Sequence, residues 1–157
     1  MESVFVLVLE PDPWRHLGFV HVLKDEPQIK LLEGIDYNRI IALRSIPVDL
    51  DPTVVMLSYT LLADFKLSLL SKIRDLFPRA NILVHGYEAN IDKVAEIFIA
   101  GAKGYFLLSG QAENLRESLK FVSKGLIWGP PEAIARSLGR LISLKGHKAR
   151  NHPNRPN

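Results

Sequence analysis

The sequence contains no cysteine, which excludes disulfide cross-links, thiolate metal sites and a cysteine nucleophile, and suits a reducing compartment. Long apolar runs are missing too. Met1-Glu-Ser-Val-Phe-Val-Leu-Val-Leu9 is apolar, but it lacks a basic start, is too short to cross a bilayer and runs straight into Glu10. It reads as a strand rather than a signal peptide, so the expected localisation is cytoplasmic and no membrane partner is expected. No glycine-rich phosphate loop follows it, because Pro11 and Pro13 stand there instead, which argues against a cofactor held by its phosphates at that turn. No internal repeat is visible. His147 and His152 have no metal-site spacing with other ligands, so no metal or other cofactor is expected.

What is present describes one ordinary domain. A chain of 157 residues buries about two thirds of its unfolded surface on folding, enough for a core without a metal or cofactor to hold it. The net charge is +3 but unevenly placed. Lys145, Lys148, Arg150 and Arg155 have no acid among them, and residues 1–144 sum to −1. A basic end on a nearly neutral body does not by itself make a nucleic-acid-binding domain.

The most informative stretch is Asp51-Pro-Thr-Val-Val-Met-Leu-Ser-Tyr59, a short apolar run between turn signals that suits the middle strand of a parallel sheet. Around it, strands and helices alternate. Val4 to Leu9 reads as a first buried strand, followed by Asp12 as N-cap and Pro13 at the first helical position. The helix to about Lys24 carries Phe19, Val22 and Leu23 on one face and Trp14, Leu17 and Val20 toward the other. Such a helix is usually covered on both sides. Ile29 to Ile35 reads as an edge strand and Asp36 to Leu43 as a short helix.

After the central strand, the spacing of Phe65, Leu69, Leu70, Ile73, Leu76 and Phe77 predicts one helix stopped by Pro78. Ile82 to His85 is a fourth strand, Asn90 caps a helix carrying Val94, Ile97 and Phe98, and Gly101 and Gly104 close it with left-handed backbone. Tyr105 to Leu108 is a fifth strand. Leu115, Ser118, Leu119 and Val122 mark a helix ending at Lys124-Gly125, and Ile134, Leu138, Leu141 and Ile142 mark a last one. Five βα units joined by short loops predict an α/β, flavodoxin-like three-layer sandwich with strand order 2-1-3-4-5 and an extra C-terminal helix. The expected divisions are 1–126 for the domain, 127–144 for the helical extension and 145–157 for a basic, disordered tail.

Several local strings resemble the receiver domains of response regulators, the CheY-like fold. Ala100-Gly-Ala-Lys-Gly-Tyr-Phe-Leu-Leu108 is similar to the end of their fourth helix and their fifth strand. Lys124-Gly-Leu-Ile-Trp-Gly-Pro-Pro-Glu132 is similar to the segment that closes the receiver in the NarL/FixJ class. Leu76-Phe-Pro78, and Pro13 with Gly18, fit the same register. The resemblance spans residues 4 to 142.

A working receiver of this family holds Mg²⁺ on two acids after the first strand and one aspartate after the third, and that aspartate accepts phosphate. Clustered carboxylates suit Mg²⁺, which wants oxygen ligands in tight octahedral geometry. Carried onto this chain, the acid pair falls on Glu10 and Pro11, the acceptor on Ser58, the sensing hydroxyl on His85 and the pairing lysine on Leu108, with Ser109 at a further acidic position. Asp12 reads as a helix cap rather than a replacement ligand. Ser58 cannot form an acyl phosphate, Leu108 cannot pair with phosphoryl oxygens, and Lys103 is five residues too early. His85 reads as a strand-end histidine satisfied locally, the alternative being a bond into the pocket with titration near neutral pH. Tyr105 keeps the family's switch aromatic.

The resemblance with these losses implies a degenerate, or pseudo-, receiver: no enzyme, but a phosphorylation-independent signalling domain working through protein contacts, with homodimerisation and transcription control as its expected outputs. Trp14, Leu17 and Val20 are the interface candidates, or else they lie under the C-terminal helix. No helix-turn-helix pattern follows residue 142 in this sequence. DNA contact would need an output domain outside these residues, or would be weak, through the basic tail. The alternatives are a nucleic-acid-associated protein using that tail, and a receiver still phosphorylated through Glu10 and Asp12.

Overall fold

The computed structural model describes residues 2–32 and 50–150. The expected strand continuation over 33–35, the helix from Asp36 to Leu43 and residues 151–157 lie outside the described residues. Five strands form one parallel sheet: β1 (Val4–Leu9), β2 (Ile29–Leu31), β3 (Val54–Ser58), β4 (Asn81–Gly86) and β5 (Gly104–Leu107), in the order β2-β1-β3-β4-β5. The apolar run expected at the centre is there, since β3 is buried along its whole length. Ladders run Leu9 to Leu57 between β1 and β3 and Ser58 to His85 between β3 and β4.

Six helices are described: α1 (Pro13–Leu23), α2 (Tyr59–Phe65), α3 (Ser68–Leu76), α4 (Ile91–Ile99), α5 (Ala112–Ser123) and α6 (Pro131–Arg150). The period-two alternation of strand side chains divides the core into two layers. Val6, Val8, Val54, Met56 and Leu83 face Phe19 and Leu23 of α1 and Leu115, Leu119 and Val122 of α5. Leu7, Leu9, Val55, Leu57 and Val84 face Leu69, Leu70 and Ile73 of α3 and Val94 and Ile97 of α4. Each such side chain taken fully from water contributes about 1.5–3 kcal/mol.

The expected caps form. Asp12 accepts hydrogen bonds from the backbone N–H groups of Trp14 and Arg15, with Pro13 first in α1, and Asn90 accepts from Lys93 N at the start of α4. Gly101 and Gly125 take the positive φ that ends α4 and α5. Gly104, expected to do the same, instead opens β5, where Leu83 and Val122 pack against its missing side chain.

Three further expectations are corrected. The single helix expected through Phe65 to Phe77 is two, α2 and α3, broken at Lys66, whose φ of 66° is left-handed. The C-terminal helix does not cover α1: it lies against α4 through Ala133 and Ile134, and Trp14 and Leu17 remain 81% and 59% exposed, with Val20 half-buried. Finally, α6 runs to Arg150, so residues 145–150, assigned to a tail, are helical. Among the described side chains of α6 the buried ones are Ala133 and Ser137, while Leu138, Leu141 and Ile142 are exposed.

Candidate functional site

Period two places the residue after Leu9, the last of β3 and the fifth of β4 on the valine-lined side of the sheet, all at its C-terminal edge. These are Glu10, Ser58 and His85, and all three are buried. Ser58 sits between the other two, because β3 lies between β1 and β4. Strands about 4.8 Å apart leave roughly twice that distance between β1 and β4, and two long side chains span it over a short one. His85 Nε2 lies 3.3 Å from Glu10 Oε1.

A buried carboxylate is costly unless it is paired and hydrogen-bonded. Glu10 has three partners. Besides His85, Arg15 Nη1 on the first turn of α1 donates to Oε1 at 3.1 Å, and the Asp12 N–H donates to Oε2 at 3.2 Å. Burial alone would raise the Glu10 carboxyl, but the bonds from His85, Asp12 and Arg15 hold it below its ordinary 4.5. Burial pushes His85 below its ordinary 6.5 despite the opposing pull of Glu10. The resulting pair is a neutral imidazole donating from Nε2 to a carboxylate. Phe19 packs edge-on against that ring, with centroids 4.7 Å apart. His85 Nδ1 has no hydrogen-bond partner among the described residues, so no bond joins it to Ser58.

Ser58 caps α2: its Oγ accepts from Thr60 N at 3.3 Å. Pro11 is half-buried in the turn before α1. Leu108 donates its N–H to Gly86 O at 2.8 Å, and its side chain lines a cleft of about 240 Å³ between α1 and α5 with Arg15, Phe19 and Phe106. Lys103 lies at the other end of β5, where its N–H reaches Ile82 O, and Ser109 is exposed. Tyr105 points into the opposite layer. Its hydroxyl donates to Glu88 O at 2.8 Å, and burial pushes it well above the ordinary tyrosine range.

The structure therefore joins Glu10 and His85 directly across the strand that ends in Ser58, with Tyr105 on the neighbouring β5 and Leu108 just after it. Sequence reasoning missed Arg15, which closes the cluster and lies over the Tyr87 ring at 5.4 Å. Its signal was its place three residues after the Asp12 cap, on the same side of the first turn.

The residues present do not fit Mg²⁺. Oε1 of Glu10 faces His85 and Arg15, Oε2 holds the Asp12 N–H, Pro11 offers no side-chain ligand, and a serine hydroxyl adds no charge. Among the described residues no three His, Asp or Glu side chains group so that they could hold a metal ion. No described helix is long and apolar enough to cross a membrane.

No protein-family model matches the chain, and no curated protein is similar to it in sequence. Solved structures do match. The isolated REC domain of RcsB from Salmonella enterica serovar Typhimurium, in the apo form, superposes with a TM-score of 0.72 at 19% identity, covering 87% of this chain and 99% of that one. The same domain in the presence of the phosphomimetic BeF3⁻ gives 0.66 at 19%, covering 84% and 96%. A LuxR-family two-component response regulator from Aurantimonas sp. gives 0.71 at 18%, covering 90% and 99%. The fold is the receiver fold of response regulators.

Proposed function

We propose that this chain is a pseudo-receiver: a phosphorylation-independent signalling domain, not an enzyme, that acts in the cytoplasm by contact with proteins, including a second copy of itself. The observation that carries the reading is the Glu10–His85 bond with its Arg15 cap. One of the solved neighbours is described with a phosphomimetic present. Here the corresponding edge is filled by a side-chain pair whose oxygens are already committed, so a phosphoryl group has neither a metal to bridge it nor a carboxylate to accept it. Aspartate chemistry is replaced by packing.

With the pocket closed, output rests on surfaces. The outer face of α1 is open, with Trp14 and Leu17 exposed, whereas α6 lies over α4. Covering an indole and a leucine side chain is worth several kcal/mol, at about 25 cal/mol per Å², before the costs of association. Homodimerisation through Trp14, Leu17 and Val20 follows, and control of transcription is the process it would serve through a DNA-binding partner or further domain. Weak nucleic-acid contact through the basic C-terminal residues is the second reading, favoured by their lack of any acid.

Sedimentation velocity on the parent and Trp14→Ala proteins tests this. A dimer is expected in the parent, weakened at least about tenfold in the variant, equivalent to about 1.4 kcal/mol, and unchanged by acetyl phosphate with Mg²⁺. A monomeric parent, or an equal constant in the variant, removes the α1 interface.

A further inference from the structure

The C-terminal helix is longer than the surface it lies on. At 1.5 Å per residue the 20 residues of α6 extend about 30 Å, and the nine of α4 only about 14 Å. The near half is tied down: Ala133 and Ser137 are buried, and Asp92 of α4 accepts from Arg136 Nη1 at 3.0 Å and Arg140 Nη2 at 2.8 Å. Beyond Arg140, every residue from Leu141 to Gly146 is exposed.

The outer face of the helix is apolar along one side. Leu138 and Ile142 are four residues apart, which places them on one stripe with Leu141 beside it, and they are 58% and 63% exposed. Charge along the same segment has a single sign. From Ala133 to Asn157 there are six basic residues and no acid, so the remaining 132 residues carry the other fourteen basic residues and all seventeen acids. The body is negative and the C-terminal segment strongly positive.

We propose that the outer face of α6 docks on an anionic lipid surface, with Leu138, Leu141 and Ile142 entering the headgroup boundary and Lys145 meeting the lipid phosphates, drawn there by the net positive charge of the C-terminal segment. A helix with an exposed aliphatic stripe, cationic flanks and little overall hydrophobicity lies in the plane of such a surface. The charge pattern favours this occupant. A second copy would bring a segment with the same four basic residues from Lys145 onward, and no acid, against its own kind. Nucleic acid would leave the aliphatic stripe unused and would find no aromatic residue from Ala133 onward on which to stack a base. The negative body would be repelled from the same surface, so only the helix would engage it. This inference is independent of the pseudo-receiver reading, and it departs from the expectation, drawn from the lack of a spanning run, that the chain meets no membrane.

The test is co-sedimentation of the full chain with vesicles of phosphatidylcholine alone and of an equimolar mixture with phosphatidylglycerol. Binding to the mixed vesicles only is expected, weakened at least about tenfold by Leu138→Ser with Ile142→Ser and, separately, by Lys145→Glu with Lys148→Glu. These positions are surface ones, and circular dichroism verifies that the variants fold. No binding to anionic vesicles, or binding unchanged in both variants, overturns the proposal. So does loss of a parent dimer in the serine variant, which makes the stripe a contact between copies, and so does capture by an acidic protein with vesicles left unbound.

Discussion

Glu10, just past the end of β1, and His85 of β4 are 75 residues apart in the chain and separated by β3, yet their side chains meet at 3.3 Å. The bridge explains three residues together. Glutamate reaches where a shorter acid would not, histidine supplies an N–H without adding a buried charge, and serine is small enough to lie beneath them.

Acid should weaken the fold in two steps. The buried His85 resists the proton that it accepts when unfolded, so stability should fall as pH drops below 6.5. The Glu10 contribution is complete above 4.5 and is lost as pH falls through its lower folded value. In His85→Gln, which keeps an N–H near Glu10 and cannot titrate, thermal melts across pH should lose the first step and keep the second. A variant profile identical to the parent would show that His85 is not the group responsible.

Replacing Ser58 with aspartate should not restore a phosphorylation site. It would place a second carboxylate against Glu10 with no cation to spare, and an unpaired buried charge costs about 3–5 kcal/mol. Chemical denaturation of Ser58→Asp should show a loss of that order at neutral pH, partly recovered in acid as the new group protonates. Stability equal to the parent would mean that the edge is more open than the 0% exposure of Ser58 describes.

Asp92 holds α6 to α4 through two arginines, both pairs partly exposed. Exposed ion pairs contribute about 0–1 kcal/mol, so Asp92→Asn should barely move the melting temperature. Hydrogen exchange should respond more, because α6 packs on α4 through its first half while Leu141 to Gly146 are exposed: amides beyond Ser137 should exchange faster while those of β3 and β4 keep their protection. Equal acceleration in the sheet would show that the fork supports the whole domain.

The sheet was legible because each buried strand is written as a short apolar run closed by turn residues, and Asp12 and Asn90 sit where capping chemistry requires. The break at Lys66 was not, since a left-handed lysine has no composition signal and the apolar spacing runs straight through it. Leu138, Leu141 and Ile142 have the period of a buried face, but periodicity does not say whether a neighbour is long enough to cover it. In the site, sequence placed Glu10, Ser58 and His85 at one edge only through a family register. That Glu10 and His85 bond depends on side-chain reach across an intervening strand, and Arg15 enters only once the first turn of α1 is oriented.

Incubation of the purified chain with Mg²⁺ and acetyl phosphate, followed by intact mass, tests the closed pocket most directly. The expected spectrum is that of the unmodified protein at every time point. A stable gain of one phosphoryl group, absent when Mg²⁺ is withheld, would contradict it.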